Sequence, residues 1–426
     1  MELARDYSNR DLEEVANAAN AIVFGVIAVF SIVSGAIANR ISPKYTLLLG
    51  TLGYTPYAAG LYMSDRFDTT WLLLAGAVSI GISGSLLWIG AGAVLLGYSE
   101  ENRKGTAMSI KVAFQNLGAM VGGIISLALN VERDYRGVVT QSTYIALMTI
   151  MSLGFPFAML LPKAKDIQRT NGRSVIIRKQ PSFISEFKVL KSIFSRPAIL
   201  ALLPLILYAQ WFLSFQWQFN YAYFTVRARA LNSFLFYLFG FFGALALGQL
   251  LDSTRWQRTT RAKIGLFIVT IVTVRYNKTL PTLDWASENY GLGAATFLLW
   301  GLTDPLITTY MFWLVGSFSN DLNETSFLAA ILNSIGSVGS TFGFVVSNQD
   351  VPYNYACAIN LILFFIAVPP LAWVVFTKVT DSTHGMNLSG KVDSESEDGE
   401  VYVEQNVAEE YKDGLKFATR ERDQSI

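Results

Sequence analysis

Residues 71–97, WLLLAGAVSIGISGSLLWIGAGAVLLG, contain no charged side chain. At ~1.5 Å per residue a helix of this length covers the ~30 Å hydrocarbon layer of a bilayer with residues to spare. A helix on a soluble core carries one apolar stripe, but here apolar residues occur all round, so the stretch reads as a membrane span. Ten similar runs flank it, near 17–38, 45–63, 106–129, 142–161, 198–217, 231–251, 262–280, 290–315, 324–347 and 352–376. The run at 262–280 is the weakest. Only 264–274 is continuously apolar, and it crosses only if Arg275 and Lys278 snorkel to the far interface. Composition agrees, with 52% hydrophobic against 15% charged residues in 426. The expected fold is all-α and polytopic, with about eleven spans arranged as five plus six around a central cavity.

Charge excludes several function classes. A formal net charge of +1 gives no field to recruit nucleic acid. One cysteine, Cys357, and one histidine, His384, leave no internal disulfide, no Cys/His metal site and almost no histidine acid-base chemistry. Nothing fits the phosphate-loop pattern G-x-x-x-x-G-K-[ST], which argues against ATP-driven work. No metal, cofactor or enzymatic activity is expected. The partners expected are the lipid bilayer and a small solute.

Lys and Arg in alternate loops set orientation, because cytoplasmic loops carry the excess. Arg40 and Lys44, Arg103 and Lys104, nine in 162–196, Arg255, Arg258, Arg261 and Lys263, and six in the tail all fall on one side, which is therefore expected to be cytoplasmic. The chain then divides into a polar arm (1–16), a five-span bundle (17–161), a cytoplasmic basic loop (162–196), a six-span bundle (197–376) and an acidic cytoplasmic tail (377–426) expected to be disordered. The loop is expected to be a solvated linker whose amphipathic part lies on anionic lipid. The first run, closed by Ala36 and Ala38, reads as a signal-anchor span because a long acidic segment precedes it.

Landmarks recur at a near-constant spacing. Gly35 to Arg40 is echoed by Gly248 to Asp252, the loop at 97–104 by that at 316–323, and Gly118/Gly122 by Gly339/Gly343, at offsets of 213, 219 and 221. Both glycine pairs have the GxxxG spacing that lets helices approach closely. Such duplication is characteristic of transporters. Shifting the sixth span back by the same offset places it before Met1, so the first half lacks its counterpart, and a truncated start is the simplest expectation.

The segment Gly35-x-x-x-Asn39-Arg40-x-Ser42-Pro43-Lys44 resembles the cytoplasmic signature between the second and third helices of the major facilitator superfamily, with Ser42 in place of its second glycine. The segments LLWIGAGAVLLGYSEENRKG (86–105), NLGAMVGGIISL (116–127), PKAKDIQRTNGR (162–173), YFTVRARALN (223–232), WGLTDP (300–305) and WLVGSFSND (313–321) resemble the Unc-93-like branch, especially its fungal members. The resemblance implies two six-helix bundles and a secondary transporter moving a small solute by alternating access. Its alternative is a transport-inactive regulatory or trafficking subunit of another membrane protein, such as an ion channel.

Polar residues inside spans are costly and so face a cavity or a partner. Asp304, fifteenth in its 26-residue span and followed by Pro305, is the candidate coupling residue, with kink stabilisation as the alternative. Its position matches the family's acidic site after the aromatic-glycine stretch. Gln115, Asn116, Gln210 and Gln216, with Gln218 and Asn220, are candidates for lining the cavity or for bonding helices together. Lys111 is expected to snorkel to the near interface. Gly35, Asn39, Arg40, Lys44, Gly248 and Asp252 form a candidate gating signature: Arg40 and Lys44 meeting helix C-termini or Glu100 and Glu101, and Asp252 meeting Arg255 or a helix N-terminus.

Overall fold

A computed structural model describes residues 2–99, 103–132, 140–162, 183–273, 283–288, 290–319, 322–347, 349 and 353–381. The elements are α1 (Glu2–Ile41), α2 (Pro43–Gly50), α3 (Tyr54–Phe67), α4 (Thr70–Tyr98), α5 (Lys104–Asn130), α6 (Gln141–Met159), α7 (Phe183–Phe194), α8 (Pro197–Tyr223), α9 (Val226–Leu251), α10 (Arg258–Thr273), α11 (Tyr290–Gly316), α12 (Leu322–Ser347) and α13 (Tyr353–Thr377). The only β pairing among the described residues is an isolated bridge between Phe224 and Leu283.

Nine of these helices are long and apolar enough to cross a membrane. The other two expected spans take different forms. The run at 45–63 is broken at Thr51–Gly53 into α2 and α3, where the chain turns between Gly50 and Gly53 and both glycines press against α4. The weak run appears as α10, and its later part, with Arg275 and Lys278, lies outside the described residues. The arm at 2–16 continues α1 without a break.

The halves meet along two related seams. α1 runs along α12, and α5 runs along α9. Gly35 sits in the first, where a Cβ would lie 3.2 Å from the Phe327 ring and 3.3 Å from Ala330. Gly248 sits in the second, where a Cβ would overlap Ser109 and stand 3.0 Å from the Gly105 carbonyl. The repeat-related glycines thus serve equivalent inter-half contacts. The GxxxG pairs behave unequally. Gly339 and Gly343 admit α8, with a Cβ on Gly343 meeting the Trp211 carbonyl at 2.7 Å, whereas Gly118 faces open space and Gly122 makes only ordinary contact. On α5 the close approach falls at Gly123, against Phe234 of α9 at 3.1 Å.

The basic loop also differs from expectation. Its helix α7 packs on α1, α8 and α12, with Ile193 and Glu186 fully buried, so this part docks on the protein and does not lie on lipid alone. A buried carboxylate needs a hydrogen-bond partner, and Glu186 accepts from Asn39 at 3.2 Å. At the end of the bundle remote from the basic loops, Asp284 accepts from Thr225 (2.7 Å) and from Arg227 Nε (2.8 Å) and Nη2 (2.5 Å). The guanidinium holds the Asp284 carboxyl well below the usual carboxylate range. This bidentate pair fastens 283–288 to the corner between α8 and α9.

Candidate functional site

At the basic end, α5 is clasped between α9 and α11. Lys104 opens α5 and is 3% exposed, and its Nζ donates to the carbonyls of Gly316 (2.8 Å) and Ser319 (2.7 Å) at the C-terminus of α11. Asp252 caps the C-terminus of α9, and its carboxylate accepts from the backbone N–H of Gly105 (3.0 Å) and Thr106 (2.5 Å) in the first turn of α5. A cation thus meets a helix C-terminus and an anion meets an N-terminus, the favourable sense at each. Burial pushes the Asp252 carboxyl up from its ordinary value, opposed by the Thr106 and Gly105 donors and by Arg261. Arg261 donates to the Leu251 carbonyl and Arg258 to that of Ser317 (3.4 Å), closing the same cluster.

The remaining signature residues lie around this end. Lys44 donates to the Met159 carbonyl (3.0 Å) at the C-terminus of α6. Asn39 holds Glu186, Arg40 follows it in the last turn of α1, and Glu100 and Glu101 lie outside the described residues. One further turn inward, a Cβ on Gly92 of α4 would lie 2.8 Å from Ala329 of α12, so the halves are in contact there too.

Immediately above this closed region stands Lys111. It does not snorkel: its Nζ lies 4.5 Å from the Trp88 ring centroid on α4 and 5.5 Å from that of Phe312 on α11. Attraction to the two ring faces outcompetes the interface because both rings reach the ammonium at the seam between the halves. The Trp88 indole N–H in turn donates to the Tyr54 hydroxyl of α3.

Asp304 is partly buried on α11, hydrogen-bonded to Thr308 one turn on and close to Tyr237 of α9. Just before it, a Cβ on Gly301 would meet Phe236 of α9 at 2.8 Å from its Cα, so this stretch packs closely against α9. Pro305 supplies no N–H to the Gly301 carbonyl, which instead faces Gly240 of α9. Asn116 fills the same junction, its amide bonded to the Val112 carbonyl (2.8 Å), while Gln115 is exposed.

In α8, Gln210 packs against Gly336 and accepts from Ser340, Gln218 donates to the Ser347 carbonyl, and Asn220 pairs with Asn232. These three join helices. Gln216 differs: 3% exposed, with Oε1 unpartnered, it lines a cavity of about 50 Å³ within the second half, together with Asn360, whose Oδ1 is also unpartnered.

A larger cavity, about 270 Å³, lies between the halves at the end opposite the basic loops, lined by Asn17, Asn20, Asp65, Tyr144, Trp217 and Gln218, among others. Sequence reasoning missed it, as it missed Lys104, Glu186 and the rings around Lys111. Its residues come from six helices, near the borders of their apolar runs, and look like ordinary span borders. The spacing of Asn17 and Asn20, on one helical face, was the signal available.

The profile of the Major Facilitator Superfamily matches residues 10–344. An UNC93-like protein of Schizosaccharomyces pombe is 26% identical over 395 residues, covering 88% of this chain and 78% of that protein. UNC93-like protein 1 of Arabidopsis thaliana is 27% identical over 389 residues, covering 85% and 82% respectively. Among solved structures, the E. coli fucose:proton symporter superposes with a TM-score of 0.54 at 17% identity, covering 86% of this chain and 96% of that one. A profile spanning most of the chain, with relatives aligned along nearly all of it, matches the paired seams and repeated glycines of the fold. The chain is an integral, multi-pass membrane protein that belongs to the Major Facilitator Superfamily, as an Unc-93-like member.

Proposed function

We propose that the protein is a secondary transporter that moves a small solute by alternating access. The observation that carries this reading is the asymmetry of the bundle. The halves are clasped at the basic end through Lys104 and Asp252, while a cavity of about 270 Å³ separates them at the other. Among the described residues the charged hydrogen bonds between the halves lie at the basic end, while Ser334 of α12 donates to the Ala28 carbonyl of α1 midway along the seam; charged bonds at one end are what one access state needs and what the opposite state must break. With the basic end cytoplasmic, the conformation is closed to the cytoplasm. In this reading Asp304 is the coupling carboxylate, and the signature residues Gly35, Asn39, Arg40, Lys44, Gly248 and Asp252 set the fit and the strength of the closed end.

Exchange across proteoliposomes tests transport. Vesicles holding the purified full chain and a mixture of metabolites are placed in isotope-labelled medium, and selective solute exchange is followed by mass spectrometry. Exchange no faster than in empty vesicles across the whole panel would overturn the reading in favour of the regulatory subunit. Sidedness has its own test. In a Cys357→Ser background, single cysteines at Ser185 and Ser394 are expected to resist an impermeant thiol reagent in intact cells and to react after permeabilisation. Labelling of either in intact cells would invert the topology.

A further inference from the structure

We infer that Lys111 is the counter-charge for an anionic solute, so that the transported class is small organic carboxylates bound at the seam between Lys111, Trp88 and Phe312. This deepens the transport reading and rests on it. Lys111 lies seven residues into α5, ~10 Å from its start; the residue is partly exposed, and its ammonium is held against the Trp88 and Phe312 rings. It has no hydrogen bond or ion pair with any described residue. Asp304 does not neutralise it. That carboxyl is bonded to Thr308, and it precedes Phe312 by eight residues, ~12 Å along α11.

The two rings offset only part of the cost of holding the ammonium there. Cation–π contacts are worth ~0.5–2 kcal/mol each, against several for withdrawing an ion from water. Rings carry no net charge, so the seam retains a full positive charge. An ammonium has three N–H donors, and two ring faces leave at least one for a true acceptor. A carboxylate supplies both the missing acceptor and the missing charge. A neutral solute supplies only the first, and a cation is repelled. Trp88, which is partly exposed, provides apolar surface for the rest of the molecule.

The location suits a transported ligand. Trp88 and Lys111 belong to the first half and Phe312 to the second, so an anion on Lys111 touches both halves next to the region that closes. Its binding energy can therefore differ between access states, which is the requirement for coupling binding to rocking.

The test measures binding of benzoate, cinnamate and succinate, each against its uncharged amide, to the purified full chain by calorimetry. Wild type is compared with Lys111→Gln and Lys111→Arg. The expected result is at least one carboxylate bound about tenfold or more tighter than its amide, with the preference lost in Lys111→Gln and regained in part in Lys111→Arg. Absence of a preference in wild type, including absence of binding, overturns the inference, as does a preference that survives in Lys111→Gln. If Lys111→Gln fails to fold, the acid-against-amide ratio in wild type and in Lys111→Arg decides. The two readings fail separately. Lys111-dependent carboxylate binding without exchange in proteoliposomes would remove transport and leave the anion site. Undiminished exchange of neutral or cationic solutes by Lys111→Gln would remove the anion class and leave transport.

Discussion

Asp304→Asn is expected to abolish gradient-driven accumulation of solute while leaving expression, thermal stability and solute exchange near wild type. The carboxylate is the one acidic group deep within a described span, and an ionisable residue at that depth costs ~2.5–3.5 kcal/mol on insertion scales, so its retention calls for a role. Its surroundings suit a group that exchanges a proton or cation. It is only partly buried, its partners Thr308 and Tyr237 are neutral, and no ion pair with a described residue fixes it in the charged form. Asparagine keeps the shape and the bond from Thr308 but cannot ionise. Pro305→Ala is the control, because it restores an N–H to the helix and would remove a kink set by the proline. If Asp304 merely supports that kink, Pro305→Ala will injure the protein at least as much as loss of the charge. Accumulation at the full wild-type level in a well-expressed Asp304→Asn protein would remove the coupling role.

The spans were legible because hydrocarbon thickness imposes a length and a composition that a single segment displays on its own. Helix partners were not. A span that is apolar on every side gives no periodic stripe to say which face meets which neighbour, as in α4 and α9. Lys111 illustrates the limit. From sequence its distance to the nearest interface suggests snorkelling, but the rings that hold it come from positions 88 and 312. Lys104 reads as one loop charge among many until the C-terminus of α11 is brought to it. Gly118 and Gly122 have the same spacing as Gly339 and Gly343, yet only the second pair faces a helix closely, because spacing marks a face without naming its occupant. The small residues of the repeat signature carried more information. At Gly35 and Gly248 the lack of a side chain is needed by the fit between halves, which duplication applies twice.

Breaking the clasp at the basic end is expected to shift the conformational equilibrium and not simply to weaken the fold. Lys104→Met keeps the apolar stem but leaves the Gly316 and Ser319 carbonyls without the ammonium, and Asp252→Asn removes the charge facing the first turn of α5. Hydrogen bonds to charged groups are worth ~1.5–3 kcal/mol each, and in this reading they exist only in the closed state, so each loss moves the population toward the opened state by roughly 10- to 150-fold. Gly248→Val acts on the same contact by steric means: its Cβ would overlap Ser109, and such overpacking costs ~1–3 kcal/mol. The measurement is the distance between spin labels at Tyr45 and Trp256, both exposed and in different halves, in a Cys357→Ser background. Wild type should give one short distance, and the three variants a second, longer population. A control pair at Asp68 and Ala286, at the other end, should move in the opposite sense because the halves rock about the bound-solute region. Lengthening at both ends would mean that the halves separate and that the clasp is only structural. Unchanged distances together with a lowered melting temperature would lead to the same conclusion. Reciprocal change at the two ends follows only if closing one mouth and opening the other are a single motion, with Lys104 and Asp252 setting its balance.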